Sequence, residues 1–126
     1  MRKTGKAALA AALTVLCWGT ASSTVLAQGT TIEFRVVPTG RHPAGCNRWD
    51  AELSRVHTFV TTNDGATLRT AGGITRNMVR SAPNVYTTTF AIGGTNFNVT
   101  ADASTSPKTL EVSEPRVGCL WHAIVP

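Results

Sequence analysis

From Thr31 onward the chain keeps returning to one pattern, with apolar side chains at every second position and polar ones between. Ile32, Phe34 and Val36 alternate with Glu33 and Arg35; Tyr86, Thr88, Phe90 and Ile92 alternate with Thr87, Thr89 and Ala91; Phe97, Val99 and Ala101 follow the same rule. Successive side chains of a strand point to opposite faces, so this period belongs to strands with one face in a core and the other in water. The breaks between runs carry turn chemistry: Asn63-Asp64-Gly65, Gly93-Gly94, and Ser104–Lys108 with Pro107. Asp-Gly and Gly-Gly supply the positive φ that tight hairpins demand. Leu110 and Val112 mark a short strand stopped by Pro115. The last run, Val117–Val125, has Cys119, Trp121, Ala123 and Val125 on one face and Leu120, His122 and Ile124 on the other. Two apolar faces place it centrally in the sheet or where the sheet curls on itself.

Two stretches resist the pattern. In Asn47–Thr62, the residues Trp49, Ala51 and Leu53 suggest a strand, while Trp49, Leu53 and Val56 fall at helical spacing. The phase change predicts one long strand with a bulge near Ser54-Arg55, with a short helix over Asn47–Arg55 as the alternative. Gly72–Pro83, with two Gly, an Asn and a Pro, reads as an irregular crossover with at most one helical turn around Ile74–Arg80. The fold expected is all-β: a small antiparallel meander of about seven strands, closing as a barrel or a two-sheet sandwich.

The first 27 residues read differently. Arg2, Lys3 and Lys6 precede an apolar stretch from Ala7 to Trp18, and Val25-Leu26-Ala27 offers small residues where a signal peptidase cuts. Residues 1–27 are thus expected to be a signal peptide and 28–126 a single exported domain of 99 residues, secreted or periplasmic. A retained signal would instead tether the domain by its N-terminus. The apolar stretch is too short to span a bilayer, so no membrane span is expected after cleavage. The chain's net charge of +5 also shrinks with this segment, to nine basic against seven acidic residues, or +2. With the aromatics at core positions rather than interleaved with the cations, no nucleic-acid partner is expected.

Export changes the meaning of the cysteines. Cys17 leaves with the signal, and Cys46 and Cys119 remain, an even pair 73 positions apart in an oxidising compartment. A disulfide is expected, with Trp49 and Trp121 packed near it.

The chemistry-bearing residues are sparse. None of His42, His57 and His122 is spaced with another His, Cys or carboxylate as a metal site requires, and no cofactor is implied. Ser54, His57 and Asp50 could be drawn into a hydrolytic triad, but no Gly-x-Ser-x-Gly elbow accompanies them. Asp50 and Glu52, flanked by Arg48 and Arg55, read as ion-pairing carboxylates on a solvated face rather than a glycosidase pair. Arginine is the enriched type. Arg69, Arg76 and Arg80 bracket the Gly72–Pro83 segment, and Arg41 and Arg48 sit in the other long loop. Guanidinium groups on loops recognise carboxylates and phosphates in two-pronged fashion. The functional expectation is a non-enzymatic binding domain for an anionic ligand or a protein partner, contacted by these five arginines. A cell-envelope hydrolase or a secreted enzyme inhibitor is the alternative.

Overall fold

The structure, a computed structural model, describes residues 29–126; the export segment read over 1–27 lies outside the described residues. Among the described residues nine strands form: β1 (Thr31–Arg35), β2 (Val37–Pro38), β3 (Val56–Thr62), β4 (Gly65–Arg69), β5 (Thr75–Ala82), β6 (Val85–Ile92), β7 (Thr95–Asp102), β8 (Lys108–Glu114) and β9 (Cys119–Val125). A 3-10 turn over Ala44–Cys46 leads into a helix, α1 (Asn47–Leu53). All pairings are antiparallel, in the order β1-β3-β4-β5-β6-β7-β8-β9-β2. β1 and β2 are separated only by Val36, yet they sit at opposite ends of that order. One nearly continuous stretch of chain therefore touches both ends of the sheet, and the meander curls into a nearly closed barrel. The sandwich alternative gives way to this arrangement.

The alternation read from the sequence is what fills the barrel. Ile32, Phe34, Val36, Phe59, Leu68, Tyr86, Phe90, Phe97, Val99, Leu110, Val112 and Trp121 are all buried. The aromatics make a chain of edge, tilted and stacked contacts: Phe34 on Phe59 (6.3 Å between centroids), Phe59 on Tyr86 (5.7 Å), Phe90 on Phe97 (5.5 Å) and Phe97 on Trp121 (5.9 Å). Gly93 and Gly94, at φ of +56° and +83°, make the two-residue turn that sets Ile92 opposite Thr95. Cys46 and Cys119 are bonded, with Cα atoms 5.7 Å apart.

Two expectations are corrected. Asn47–Leu53 is a helix, not the first half of a long strand. Trp49 and Leu53, four apart, are buried, while Ala51, which a strand would bury with them, is exposed. The helix stops where the Ser54 N–H bonds the Asp50 carbonyl (2.8 Å) and the Arg55 N–H bonds that of Leu53 (2.8 Å), which turns the chain into β3. Likewise Gly72–Pro83 is no crossover: Thr75–Ala82 is strand β5, which with the two-residue β2 raises the count among the described residues from about seven to nine. Only Met78 of its eight residues is buried, so nothing in the sequence alternates there. β5 also changes partners midway. Thr75–Met78 pair with β4, whereas Val79, Arg80 and Ala82 pair with β6, with a register shift between Arg80 and Ala82. Strands that pass from one sheet to another make the corners of small barrels.

Candidate functional site

Strand direction scatters the arginines that sit near one another in sequence. Arg69 follows buried Leu68 on β4 and so points to the outer face, where it is exposed. Arg76 and Arg80 flank Met78 on β5, on the side Met78 occupies, separated by four residues or about 13 Å of strand. Both are exposed. Arg41 is exposed in the loop between β2 and the 3-10 turn. The segment meant to present Arg69, Arg76 and Arg80 together is a strand and its neighbour, not a loop.

Arg48 is different. It lies on α1 two residues after Cys46, and its guanidinium sits 4.3 Å from the ring centroid of Trp49. A cation over an indole face is held by the ring quadrupole, so the head group is pre-placed. Trp49 is in turn wedged against Phe97, 5.4 Å away. The disulfide draws the start of α1 up to the β8–β9 turn, which brings a second arginine, Arg116, into range. Together Arg48, Trp49, Thr95, Glu114, Arg116 and Val117 line a cleft of about 240 Å³.

The cleft's carboxylate is already engaged. Glu114 is buried, and its Oε1 accepts the Arg116 N–H (3.0 Å) while Oε2 accepts the Val117 N–H (2.7 Å). The Gly118 N–H bonds the Glu114 carbonyl (3.0 Å). Glu114 thus shapes the Pro115–Gly118 turn, and its charge is met by backbone donors rather than by an arginine. Among the described residues the one ion-pair contact is His42 Nε2 to Asp50 Oδ1 (3.1 Å), so neither Arg48 nor Arg116 has a carboxylate oxygen within reach. Two guanidiniums with unspent donors therefore face one small cleft. Sequence reasoning missed Arg116. Its signal was available, since Arg48 and Arg116 each lie within three residues of one end of the same disulfide.

The histidines are held in structural settings. Buried His57 receives the Ala71 N–H on Nδ1 (3.1 Å), and its Nε2 lies 2.9 Å from the Leu53 carbonyl. With Nδ1 accepting, Nε2 carries the proton and donates, which ties the end of α1 to β3 and to the chain beyond β4. Burial pushes its pKa below the usual histidine value, although the bond to Leu53 opposes the shift; the nearby Arg55 lowers it further. A histidine whose folded pKa is depressed is protonated more readily unfolded than folded. The stability it lends is complete above the ordinary value of 6.5 and declines as pH falls from there toward the lowered folded pKa. Urea unfolding between about pH 7.5 and 5, roughly the range histidine titration spans, is expected to show this loss, and the His57 ring should titrate by NMR below the ordinary 6.5.

Asp50 does not pair with Arg48 or Arg55. Its Oδ1 accepts from Trp121 Nε1 (2.8 Å) and contacts His42, whose ring sits edge-on to Trp121 at 4.6 Å. The other His42 nitrogen, Nδ1, is buried and meets no hydroxyl, so this Asp–His pair holds no nucleophile. His122, on β9 between buried Trp121 and Ala123, faces away from the barrel interior. Among the described residues no three His, Cys, Asp or Glu side chains converge as a metal site would need. No described helix is long and apolar enough to cross a membrane. No family model, curated protein or solved structure matches this chain.

Proposed function

We propose that the protein is an exported, non-catalytic binding domain of the periplasm or extracellular space, and that it takes an anionic group, carboxylate or phosphate, in the Arg48–Arg116 cleft. One observation carries the reading: two arginines without acidic partners line a cleft whose own carboxylate already accepts two backbone N–H groups. Guanidinium forks match the two oxygens of a carboxylate or phosphate, and a head group stacked on an indole loses little freedom on binding. Export is supported by the N-terminal segment and by the Cys46–Cys119 bond, which persists in oxidising compartments.

The test is an NMR titration of the purified protein with inorganic phosphate and with succinate. Amide shifts are expected at Arg48, Thr95, Arg116 and Val117. Charge-assisted hydrogen bonds contribute about 1.5–3 kcal/mol each, so Arg48→Glu with Arg116→Glu should weaken binding by at least about tenfold. Arg69→Glu, on the outer face of β4, should leave it unchanged. Shifts that persist in the double variant, or none at all in the parent protein, would overturn the proposal.

A further inference from the structure

The partner change in β5 has a second consequence at the other side of the chain's turns. The β4–β5 ladder ends at Ala66 opposite Met78. Beyond that pair the chain turns at Asn63-Asp64 on one side, and on the other β5 leaves to place Arg80 opposite Tyr86 on β6. The two segments part, and the gap they leave is a cleft of about 220 Å³. Met78 and Tyr86, both nearly buried, give it apolar walls, and Asn63, Asp64, Arg80 and Asn84 supply its polar lining. Asn84 stands at φ +60°, a left-handed conformation that Asn tolerates better than most residues; it forms the tight link between β5 and β6.

Asp64 and Arg80 line the same small cleft, yet no oxygen of Asp64 lies within 4.0 Å of an Arg80 nitrogen, since the one ion-pair contact among the described residues is elsewhere. The cleft therefore keeps a free acceptor and a free donor, with two amides that each do both. Their charges cancel. A phosphate or carboxylate would meet Asp64 as a like charge, and an ammonium would meet Arg80. A neutral ligand carrying adjacent hydroxyls satisfies all four groups, because a hydroxyl donates to a carboxylate and accepts from a guanidinium in the same pose. Met78 and Tyr86 leave a small apolar strip open at the cleft, which suits the C–H edge of a ring. Mouths of β-barrels are a recurrent place for such sites.

From this juxtaposition we infer that the β4–β5 gap is a second binding site, for a pyranose unit, independent of the Arg48–Arg116 cleft. The experiment is an NMR titration of the purified protein with glucose, galactose, mannose and N-acetylglucosamine, each to about 50 mM, enough to reveal millimolar binding. At least one sugar should shift the amides of Asn63, Asp64, Arg80, Asn84 and Tyr86. Asp64→Asn and Arg80→Gln, charge-removing changes at positions outside the core, should each weaken that binding by about tenfold or more, because each leaves a ligand hydroxyl without its charged partner. Arg48→Glu with Arg116→Glu should leave sugar binding intact, which separates this site from the anion site. The inference fails if no sugar in the panel moves those amides, or if both single variants bind as the parent does.

Discussion

Reducing the Cys46–Cys119 bond, or replacing both cysteines by serine, is expected to lower the unfolding temperature by on the order of 20 °C. The two residues are 73 apart in sequence, so the bond closes a loop containing α1 and every strand from β3 to β8. In the chain-entropy account, cross-linking a loop of that length stabilises a fold by about 4 kcal/mol relative to the open chain. For a domain of this size each kcal/mol corresponds to roughly 4–8 °C. The loss should also be felt locally. A helix of seven residues has no stability of its own, and α1 is held by the burial of Trp49 and Leu53 and by the bond at its entry. The same bond brings Arg48 and Arg116 to one cleft, so the proposed anion binding should weaken in reduced protein at temperatures where the barrel is still folded. Calorimetry with and without reductant, paired with the phosphate titration, checks both parts. A shift of only a few degrees would mean that the barrel stands without the staple. Unchanged phosphate binding would mean that α1 is positioned by its packing alone.

How much of this was legible in the sequence depended on which faces are wet. The β6–β7 hairpin could be read residue by residue because Tyr86, Phe90, Phe97, Val99 and Ala101 are buried while Thr89, Asn96, Asn98 and Thr100 are exposed. β5 was illegible for the opposite reason: water reaches both of its sides, only Met78 is buried, and exposed Arg76, Val79 and Arg80 carry no period. α1 was ambiguous because Trp49, Ala51 and Leu53 satisfy a strand, while Trp49, Leu53 and Val56 satisfy a helix. Burial of positions 49 and 53 without 51 decides it. The Arg48–Arg116 cleft was half legible. Arg48 drew notice as an arginine, but grouping cations by their distance along the chain joined Arg69, Arg76 and Arg80, which strand geometry separates. Grouping them by distance through the disulfide would have paired Arg48 with Arg116 instead. The β4–β5 cleft left no trace in the sequence, because it is produced by a change of strand partner.

Trp121→Ala should cost about 3–5 kcal/mol of stability, the range expected for deleting a large buried aromatic. Its side chain is fully buried on β9. One edge meets Phe97, which also carries Trp49 and Phe90, so the cavity would open at the point where the aromatic chain of the barrel joins α1. The indole does polar work as well. Its Nε1–H donates to Asp50 Oδ1 (2.8 Å), and this bond pins the helix to β9 next to the disulfide. Trp121→Phe separates the two contributions. It keeps most of the ring but leaves the Asp50 oxygen with His42 alone, and it should cost about 1–3 kcal/mol, toward the low end because Asp50 is partly open to water. Trp49→Ala should fall between the two variants, since Trp49 is not fully sealed and one face is covered by the Arg48 guanidinium rather than by core atoms. The order expected from urea unfolding followed by circular dichroism is therefore Trp121→Ala, then Trp49→Ala, then Trp121→Phe. If Trp49→Ala proved the most damaging, the seam between α1 and β7 would hold the barrel together more strongly than β9 does. The placement of Trp121 at its centre would then be wrong.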